Sequence, residues 1–317
     1  MGRPTRTGQH GPANTGKWAS PLTLDQLRIF VAVAERQHVT QAARALNLAQ
    51  SAASAAIAAL EDRYQTPLFH RVGRGITLTE AGRLFLVEAK AVLAQADRAE
   101  RALADLSGLQ RGHLRVQASQ TIAGYWLPRH LVSFHDSHPG VTLDLTIGNT
   151  AQVAAAVLEG TADLGFVEGA VDGADLAAHQ VALDQLVVVV APGHPWAFRT
   201  AVSAADMLDT PWVMRETGSG TRSAFLNALA DLGVDPSGLR VALELPSNEA
   251  VRAAVEAGGG AAALSASVAS GSIEVGLLHP VPFPLPPRAF TLLRHAGRGL
   301  SRAATAFLGG MGLPDLA

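Results

Sequence analysis

From residue 22 to about residue 106 the apolar positions recur at helical spacing, and from residue 113 short apolar runs alternate with helix-spaced stretches. In the first part, residues 22–37 (LTLDQLRIFVAVAERQ) set Leu24, Leu27, Phe30, Val31 and Ala34 along one face, with Thr23 as the expected N-cap. Residues 39–60, VTQAARALNLAQSAASAAIAAL, read as two short helices broken at Asn47-Leu48. Thr40 is expected to cap the first, and the second starts at or beside Gln50. Ala42, Ala43 and Ala45 keep the first helix thin enough for close approach, while Ala53, Ile57 and Leu60 face inward at i, i+4, i+7. Gln50, Ser51, Ser54 and Ala55 then share the other side, short enough to sit against a partner surface. A helix-turn-helix whose second helix enters a DNA major groove needs this combination. An Ala-rich helical hairpin with no partner is the alternative at this point.

Pro67 stops that helix, and Leu68 and Phe69 read as core plugs. Residues 70–82, HRVGRGITLTEAG, carry Arg71 and Arg74 around Gly73 ahead of a short strand at 76–78. This predicts a wing whose arginines reach along phosphates; an ordinary solvated hairpin is the other reading. Residues 79–106 form a long helix with a stripe of Leu84, Val87, Ala91, Ala94, Ala102 and Leu106, and Ser107-Gly108 ends it. A helix of roughly 28 residues spans about 40 Å, too long to fold into a small winged domain. It is expected to pair with a copy of itself as a dimerising linker.

In the second part, strands are expected at 114–118, 141–147, 163–167, 176–181, 186–190, 212–214, 239–244, 261–264 and 290–294. Helices are expected at 121–134 with a break at Pro128, and at 151–159, 220–232, 248–257 and 302–308. Repeated strand–helix units imply a mostly parallel sheet, so the chain is α/β overall behind an all-α start. The stretch is long enough for two lobes, with the chain crossing near 181–186 and again near 281–285 in a proline-rich run.

Composition narrows the choices. The 317 residues are 48% hydrophobic and 16% charged, which is globular, and the 5% aromatic content points to aliphatic cores. The absence of cysteine excludes disulfides, thiol nucleophiles and Cys-based zinc sites, and fits a cytoplasmic protein. No apolar run reaches the roughly 18 residues of a membrane span. Residues 1–20 lack an apolar signal core and read as a disordered arm. The net charge of −2 leaves DNA binding open, because local charge decides it. Lysine stands only at Lys17 and Lys90, so arginine, the better fork for phosphate and guanine, carries the positive charge.

Four helix starts in the second part carry small hydroxyl or amide residues: Ser119-Gln120-Thr121, Asn149-Thr150, Gly218-Ser219-Gly220-Thr221 and Ser247-Asn248. Each follows a strand and can aim free N–H groups at a crevice beyond the strand ends, a site for a small carboxylate, sulfur or phosphate oxyanion. Routine N-caps are the plainer explanation. In RETGSGTR, residues 215–222, two glycines around a serine allow close backbone approach and the arginines offer counter-charge. It lacks the lysine and spacing of a nucleotide P-loop, and no hydrolase, zincin or kinase pattern occurs. His135 and His138 suit a polar loop better than a metal site, so neither metal nor cofactor is expected. Glu168 and Asp163 have no nucleophile or second carboxylate spaced to work with them.

These residues resemble the LysR-type transcriptional regulators. The resemblance runs from Leu24 to Gly82 through Phe30, Thr40-x-Ala42-Ala43-x-x-Leu46, Gln50-Ser51-Ala52-x-Ser54, Ile57-x-x-Leu60-Glu61, Leu68-Phe69-x-Arg71 and Leu78-Thr79-x-Ala81-Gly82. It continues more loosely through Thr121 to Pro128, Phe134 to Val141, Gly160-x-x-Asp163-Leu164-Gly165 and Ser247-Asn248-Glu249. The RETGSGTR segment is similar to the subgroup of sulfur-assimilation and autotrophic carbon-fixation regulators.

The resemblance implies a winged helix-turn-helix at 21–80, a dimerising linker helix at 79–107 and a periplasmic-binding-protein-like effector domain at 113–310. Lobe I would hold 113–182 and 284–310, and lobe II 185–281. It implies a non-enzymatic regulator that binds two promoter half-sites as a homotetramer, senses a small co-inducer and has RNA polymerase as a further partner. Thr40, Gln50, Ser51 and Ser54 would face DNA, with Arg63, Arg71 and Arg74 on its backbone. Ser119, Thr121, Asn149, Thr150, Gly218, Ser219, Thr221, Ser247 and Asn248 would serve the effector. Many members place Arg or Lys just after the serine matching Ser54, where this chain has Ala55-Ala56. Grip on phosphate then falls to the flanking arginines. The competing reading is an α/β solute-binding or catalytic protein whose first helices only mediate assembly.

Overall fold

The structure, a computed structural model, describes residues 22–72, 75–105, 112–169, 171 and 173–314. The expected arm at 1–20, Arg74, and the helix end at Leu106 to Gly108 lie outside the described residues. The chain divides into two compact units, residues 1–93 and 94–317.

In the first unit, α1 (Leu24–Arg36) opens with a reciprocal capping box. The Thr23 hydroxyl accepts from the Gln26 N–H at 3.2 Å, and the Gln26 side chain accepts from the Thr23 N–H at 3.3 Å. Helix α2 (Val39–Ala45) is capped by His38, not by Thr40 as expected. His38 holds the extended backbone that an N-cap needs, and its Nδ1 accepts from the Gln41 N–H at 3.5 Å; Thr40 is already inside the helix. Asn47 then turns the chain with φ 55°, a left-handed conformation that asparagine tolerates, before α3 (Gln50–Tyr64). Strands β1 (Phe69–Val72) and β2 (Gly75–Leu78) pair antiparallel, and α4 (Glu80–Asp105) follows.

Leu27, Phe30, Val33, Ala42, Ile57 and Leu60 are buried together, with Phe30 against Phe69 and Phe85 at ring distances of 5.5 and 4.8 Å. Leu24, assigned to this face from its spacing, is instead exposed. The base of the β1–β2 hairpin is tied in tightly. Glu61 of α3 accepts from the Leu68 and Phe69 N–H groups at 2.7 and 3.1 Å. Thr79 donates to the Pro67 carbonyl at 2.8 Å and accepts from the Gly82 N–H at 2.9 Å. A Cβ at Gly82 would fall 2.1 Å from the Leu68 carbonyl oxygen, so only glycine lets α4 start there.

Helix α4 is apolar on two sides. Phe85, Leu86, Ala89 and Leu93 pack on this core, whereas Leu84 and Val87 of the expected stripe are 68% and 51% exposed.

The second unit begins with β3 (Gly112–Ser119), followed by a π-helical turn at Ile122–Trp126 that runs into α5 (Pro128–Ser137). The break expected at Pro128 is there: the first turn ends at Trp126 and Pro128 starts α5, where its missing N–H costs nothing. Next come β4 (Val141–Gly148), α6 (Thr150–Glu159), β5 (Leu164–Glu168) and β6 (Leu176–Val190). Strand β7 (Pro211–Arg215), α7 (Gly220–Asp231), β8 (Arg240–Leu245) and α8 (Asn248–Glu256) continue. The chain ends with β9 (Ala262–Ser265), α9 (Ala266–Glu274), β10 (His279–Pro280), β11 (Pro287–His295) and α10 (Arg302–Gly310).

The sheets are mixed rather than mostly parallel. Strands β4, β3 and β5 are parallel, as are β7 and β8. Strand β11 returns antiparallel between β5 and β6, and β9 and β10 pair antiparallel with β6. The two strands expected at 176–181 and 186–190 are one: β6 runs 15 residues, pairing with β11 by its first part and with β9 by its last. The change of partners falls at Gln185 and Leu186, so the first crossing is made by an unbroken strand. Separate cores flank it. One gathers Leu114, Val116, Phe134, Phe166, Leu292 and Phe307; another gathers Val188, Trp196, Met207, Trp212, Phe225 and Phe283. The scarce aromatics are concentrated here, with Trp212 and Phe225 rings 4.6 Å apart, so these cores are not purely aliphatic.

Candidate functional site

Two surfaces carry the residues singled out from the sequence. On the first unit, Ala53, Ile57 and Leu60 hold α3 against the core, and this leaves Gln50, Ser51 and Ser54 exposed on the side away from it. Thr40 is half-buried within α2. Arg71 is exposed on β1, and Arg63 is half-buried in the last turn of α3, where its Nη1 is buried without a hydrogen-bond partner. Among the described residues the side chains of Gln50, Ser51, Ser54 and Arg71 make no hydrogen bond or ion pair. The helix is short-sided and neutral toward solvent, with cationic groups at its edge, as a groove reader flanked by phosphate contacts requires.

In the second unit, the ends of β3, β4, β5 and β7 bring Ser119, Asn149, Thr150, Ser219 and Thr221 to one inter-lobe cleft. Gln120, Glu168, Arg215 and Gly220 join them. Ser119 and Thr221 are only 3% and 2% exposed, so this is an interior site. Asn248 bridges across it: its Nδ2 donates to Thr121 Oγ1 at 3.1 Å, and its Oδ1 accepts from Arg215 at 2.6 Å. Gln120 accepts from the Asn248 N–H at 2.9 Å and donates to the Pro246 carbonyl at 3.0 Å. Asn149 makes its own capping box with Gln152 and donates to Glu216 at 3.3 Å. The remaining two candidates do less. Ser247 spends its hydroxyl capping α8, and Gly218 contributes a left-handed backbone with φ 92°.

Two buried hydroxyls in the cleft, Ser119 Oγ and Thr150 Oγ1, have no hydrogen-bond partner among the described residues. Beside them the start of α7 comes very close: a Cβ at Gly220 would lie 2.5 Å from Thr150 Oγ1 and 2.8 Å from the Glu168 carbonyl oxygen. Ser219, the N-cap of α7, makes no capping bond with its side chain. The walls meet so closely that no water-sized space remains between them.

Sequence reasoning missed Arg288 and Asp184, which organise this cleft together with Glu168. Arg288 of β11 donates to Asp184 at 2.8 Å and to Thr221 Oγ1 at 3.0 Å, and stands 3.8 Å from Glu168. Asp184 also accepts from Ser265 at 2.7 Å. All four of Arg288, Asp184, Glu168 and Ser265 are buried. Arg288 and Asp184 sit in strands separated by a hundred residues, with no local spacing to link them; only the charged residues inside two apolar runs could have drawn notice. Arg215 is paired with Glu216 at 2.8 Å. Burial pushes the Glu216 carboxyl up, but hydrogen bonds and charge from Arg215 outweigh it and the pKa is lowered overall. Among the described residues no group of side chains is arranged to hold a metal ion, and no helix is long and apolar enough to cross a membrane.

A helix-turn-helix unit joined to an α/β domain with a polar inter-lobe cleft is the build of a DNA-binding transcriptional regulator with an effector-binding domain. Residues 24–83 match the family described as bacterial regulatory helix-turn-helix protein, lysR family, and residues 107–311 match the LysR substrate binding domain. The chain belongs to the LysR family of transcriptional regulators; it is not an enzyme. It is 36% identical over 289 residues to the uncharacterized HTH-type transcriptional regulator YeiE of Escherichia coli K12, covering 90% of this chain and 96% of that one. A probable RuBisCO transcriptional regulator of Trichormus variabilis is 32% identical over 292 residues, covering 90% and 87%.

Among solved structures, full-length CbnR complexed with its target DNA superposes with a TM-score of 0.66 at 22% identity, covering 92% of this chain and 99% of that one. The regulatory domain of Synechocystis CcmR in complex with 2-PG superposes with a TM-score of 0.58 at 30% identity, covering 65% and 97%.

Proposed function

We propose that this regulator binds promoter half-sites as a homo-oligomer and is switched by a small anionic effector in the inter-lobe cleft. The observation that carries the effector reading is the pair of unpartnered buried hydroxyls, Ser119 and Thr150, beside the start of α7. Buried donors without acceptors are costly unless a ligand supplies one, and the first N–H groups of a helix favour negative charge. The complex of CcmR with 2-PG supports a small ligand in a related domain. Glu168 adds a second demand. Arg215 is matched by Glu216, and Arg288 is shared between Asp184 at 2.7 Å and Glu168 at 3.8 Å, so Glu168 is the less closely matched carboxylate. The effector is therefore an anion that also brings a hydrogen-bond donor.

On the DNA side, Gln50, Ser51 and Ser54 read base edges, Thr40 supports them from α2, and Arg63, Arg71 and Arg74 grip the backbone. The exposed α3 face supports this, as does the DNA complex of CbnR, whose likeness here is one of fold. Self-association runs through α4, where Leu84 and Val87 leave an apolar strip opposite the core-packed side; a second such pairing completes a tetramer. A cytoplasmic site of action, with RNA polymerase as a further partner, is part of the same reading, and the absence of cysteine supports it.

A mobility shift with the DNA upstream of the regulator's own gene, repeated over a salt series, tests the DNA reading. Sequence-selective retention that weakens with salt is expected, and uniform retention of unrelated DNA contradicts it. A thermal-shift series of hydroxy acids, phosphorylated acids and sulfur oxyanions tests the cleft: a stabilising anion must lose its effect in Ser119→Ala with Thr150→Val.

A further inference from the structure

A second cavity, of about 460 Å³, lies in the effector domain away from the cleft. Its floor is the loop Gly297-Arg298-Gly299-Leu300-Ser301 that leads into α10, and Gln95 and Ala99 of α4 line it as well. It has a size suited to a small organic molecule. Arg294 of β11 lines it, and the Nε of this guanidinium is buried with no hydrogen-bond partner among the described residues. Arg298 stands beside it, holding the Val157 and Leu158 carbonyls at 3.1 and 2.8 Å at the end of α6. Burial lowers the Arg298 pKa, with Asp175 only partly offsetting, so this cation is short of counter-charge. The carboxylate in the wall, Asp163, is already matched by Arg115 at 2.9 Å. Two guanidinium groups therefore face a space whose one acid is spoken for, next to the apolar surfaces of Val157, Ala162 and Leu300.

We propose that this cavity is a second ligand site, which takes a small organic anion by its carboxylate or phosphate oxygens on Arg294 and Arg298 and its apolar body on Val157 and Leu300. An oxyanion supplies the acceptor that the buried Nε lacks, and guanidinium forks match both oxyanion types. Its position gives it a line to the first site. Helix α6 begins at Asn149-Thr150 in the cleft and ends at Gly160 in the cavity wall, about 15 Å away at 1.5 Å per residue. Strand β5 likewise ends at Glu168 in the cleft and starts next to Asp163 in the cavity. A ligand at one end therefore bears on the same helix and strand as a ligand at the other. The proposal stands apart from the assignment of the cleft and of the DNA face.

Calorimetric titration of the full-length protein with sodium phosphate and, separately, sodium succinate tests it. At least one anion is expected to bind, and which one does separates the phosphate from the carboxylate source. Arg294→Gln should weaken that binding by about tenfold or more, while Arg294→Lys retains most of it. Ala99→Trp, built from an exposed helix position, should fill the cavity and abolish binding with both arginines in place. It decides the matter should Arg294→Gln prove unfolded by its melting curve. Thr150→Val, at the cleft end of α6, should shift the isotherm far less than Arg294→Gln does. Failure of both anions to bind the wild type overturns the proposal, as does wild-type binding by Ala99→Trp. So does loss of the same isotherm in Thr150→Val, which would place the anion in the cleft.

Discussion

The two surfaces that carry this protein's candidate recognition residues treat polar side chains in opposite ways. On α3, Gln50, Ser51 and Ser54 are exposed and free of one another. In the cleft, Thr121, Thr221 and Asn248 are buried and bonded to partners from other elements. The first surface is finished before its partner arrives and needs only a complementary face. The second has satisfied most of its own polar groups, so a ligand has to replace internal bonds. Affinity at the first is set by what is added, and at the second by the difference between what is added and what is given up.

Removing a charge from the cleft tests that contrast most severely. Arg288→Met leaves Asp184 and Glu168 buried without their cation, and a loss of about 3–5 kcal/mol is expected in denaturant unfolding. A loss no larger than that of an exposed arginine would show that the cleft charges are hydrated. Gly220→Ala should come next. Its Cβ has to displace Thr150 and the Glu168 backbone, at a cost of about 1–3 kcal/mol. It should also blunt any effector-induced thermal shift. On the open surface the same experiment should read almost nothing: Gln50→Ala is expected to change stability by less than about 0.5 kcal/mol. Its effect belongs to DNA, where about 1–3 kcal/mol of base discrimination should disappear. Arg71→Ala should weaken all sequences alike and reduce the salt slope of binding by about one.

The smallest effect is in pH. The Glu216 carboxyl is lowered in the folded protein, so its contribution to stability is complete above its ordinary value of 4.5 and is lost as the pH falls through the lower folded value. Glu216→Gln should therefore lower stability at neutral pH, where that contribution is complete, more than in acid, and so flatten acid unfolding below about pH 4.5. Asp206 is held at about 2 by hydrogen bonds from the Ser203 side chain and backbone and from Arg199. Its side chain is partly exposed, and replacing it should remove pH dependence only from the lowest part of the acid limb.

The contrast also explains what could be read from the chain. The α3 face was legible because Ala53, Ile57 and Leu60 fix its orientation by helical period alone, and everything opposite them follows. The capping of α2 was not, because a histidine supplied the extended residue two positions before the expected Thr40. Helix α9 went unseen because ASVASGSIE is rich in serine and has little apolar rhythm; packing of Val268 and Ala269 on β6 and β9 makes it helical. The hydroxyls of the cleft were marked by their place at helix starts, a local pattern. Arg288, Asp184 and Glu168 were missed as a group because their meeting depends on β11 returning between β5 and β6, which no local spacing records.

Strand β6 has a mechanical consequence. A loop between lobes bends without resistance and leaves them where it finds them. Here a 15-residue ribbon, clamped by β11 on one side and by β9 on the other, joins them instead. The return crossing is tethered to it by the Gln185 side chain, which donates to the Leu285 carbonyl at 2.8 Å. Any parting of the lobes has to twist this ribbon against its own pairing.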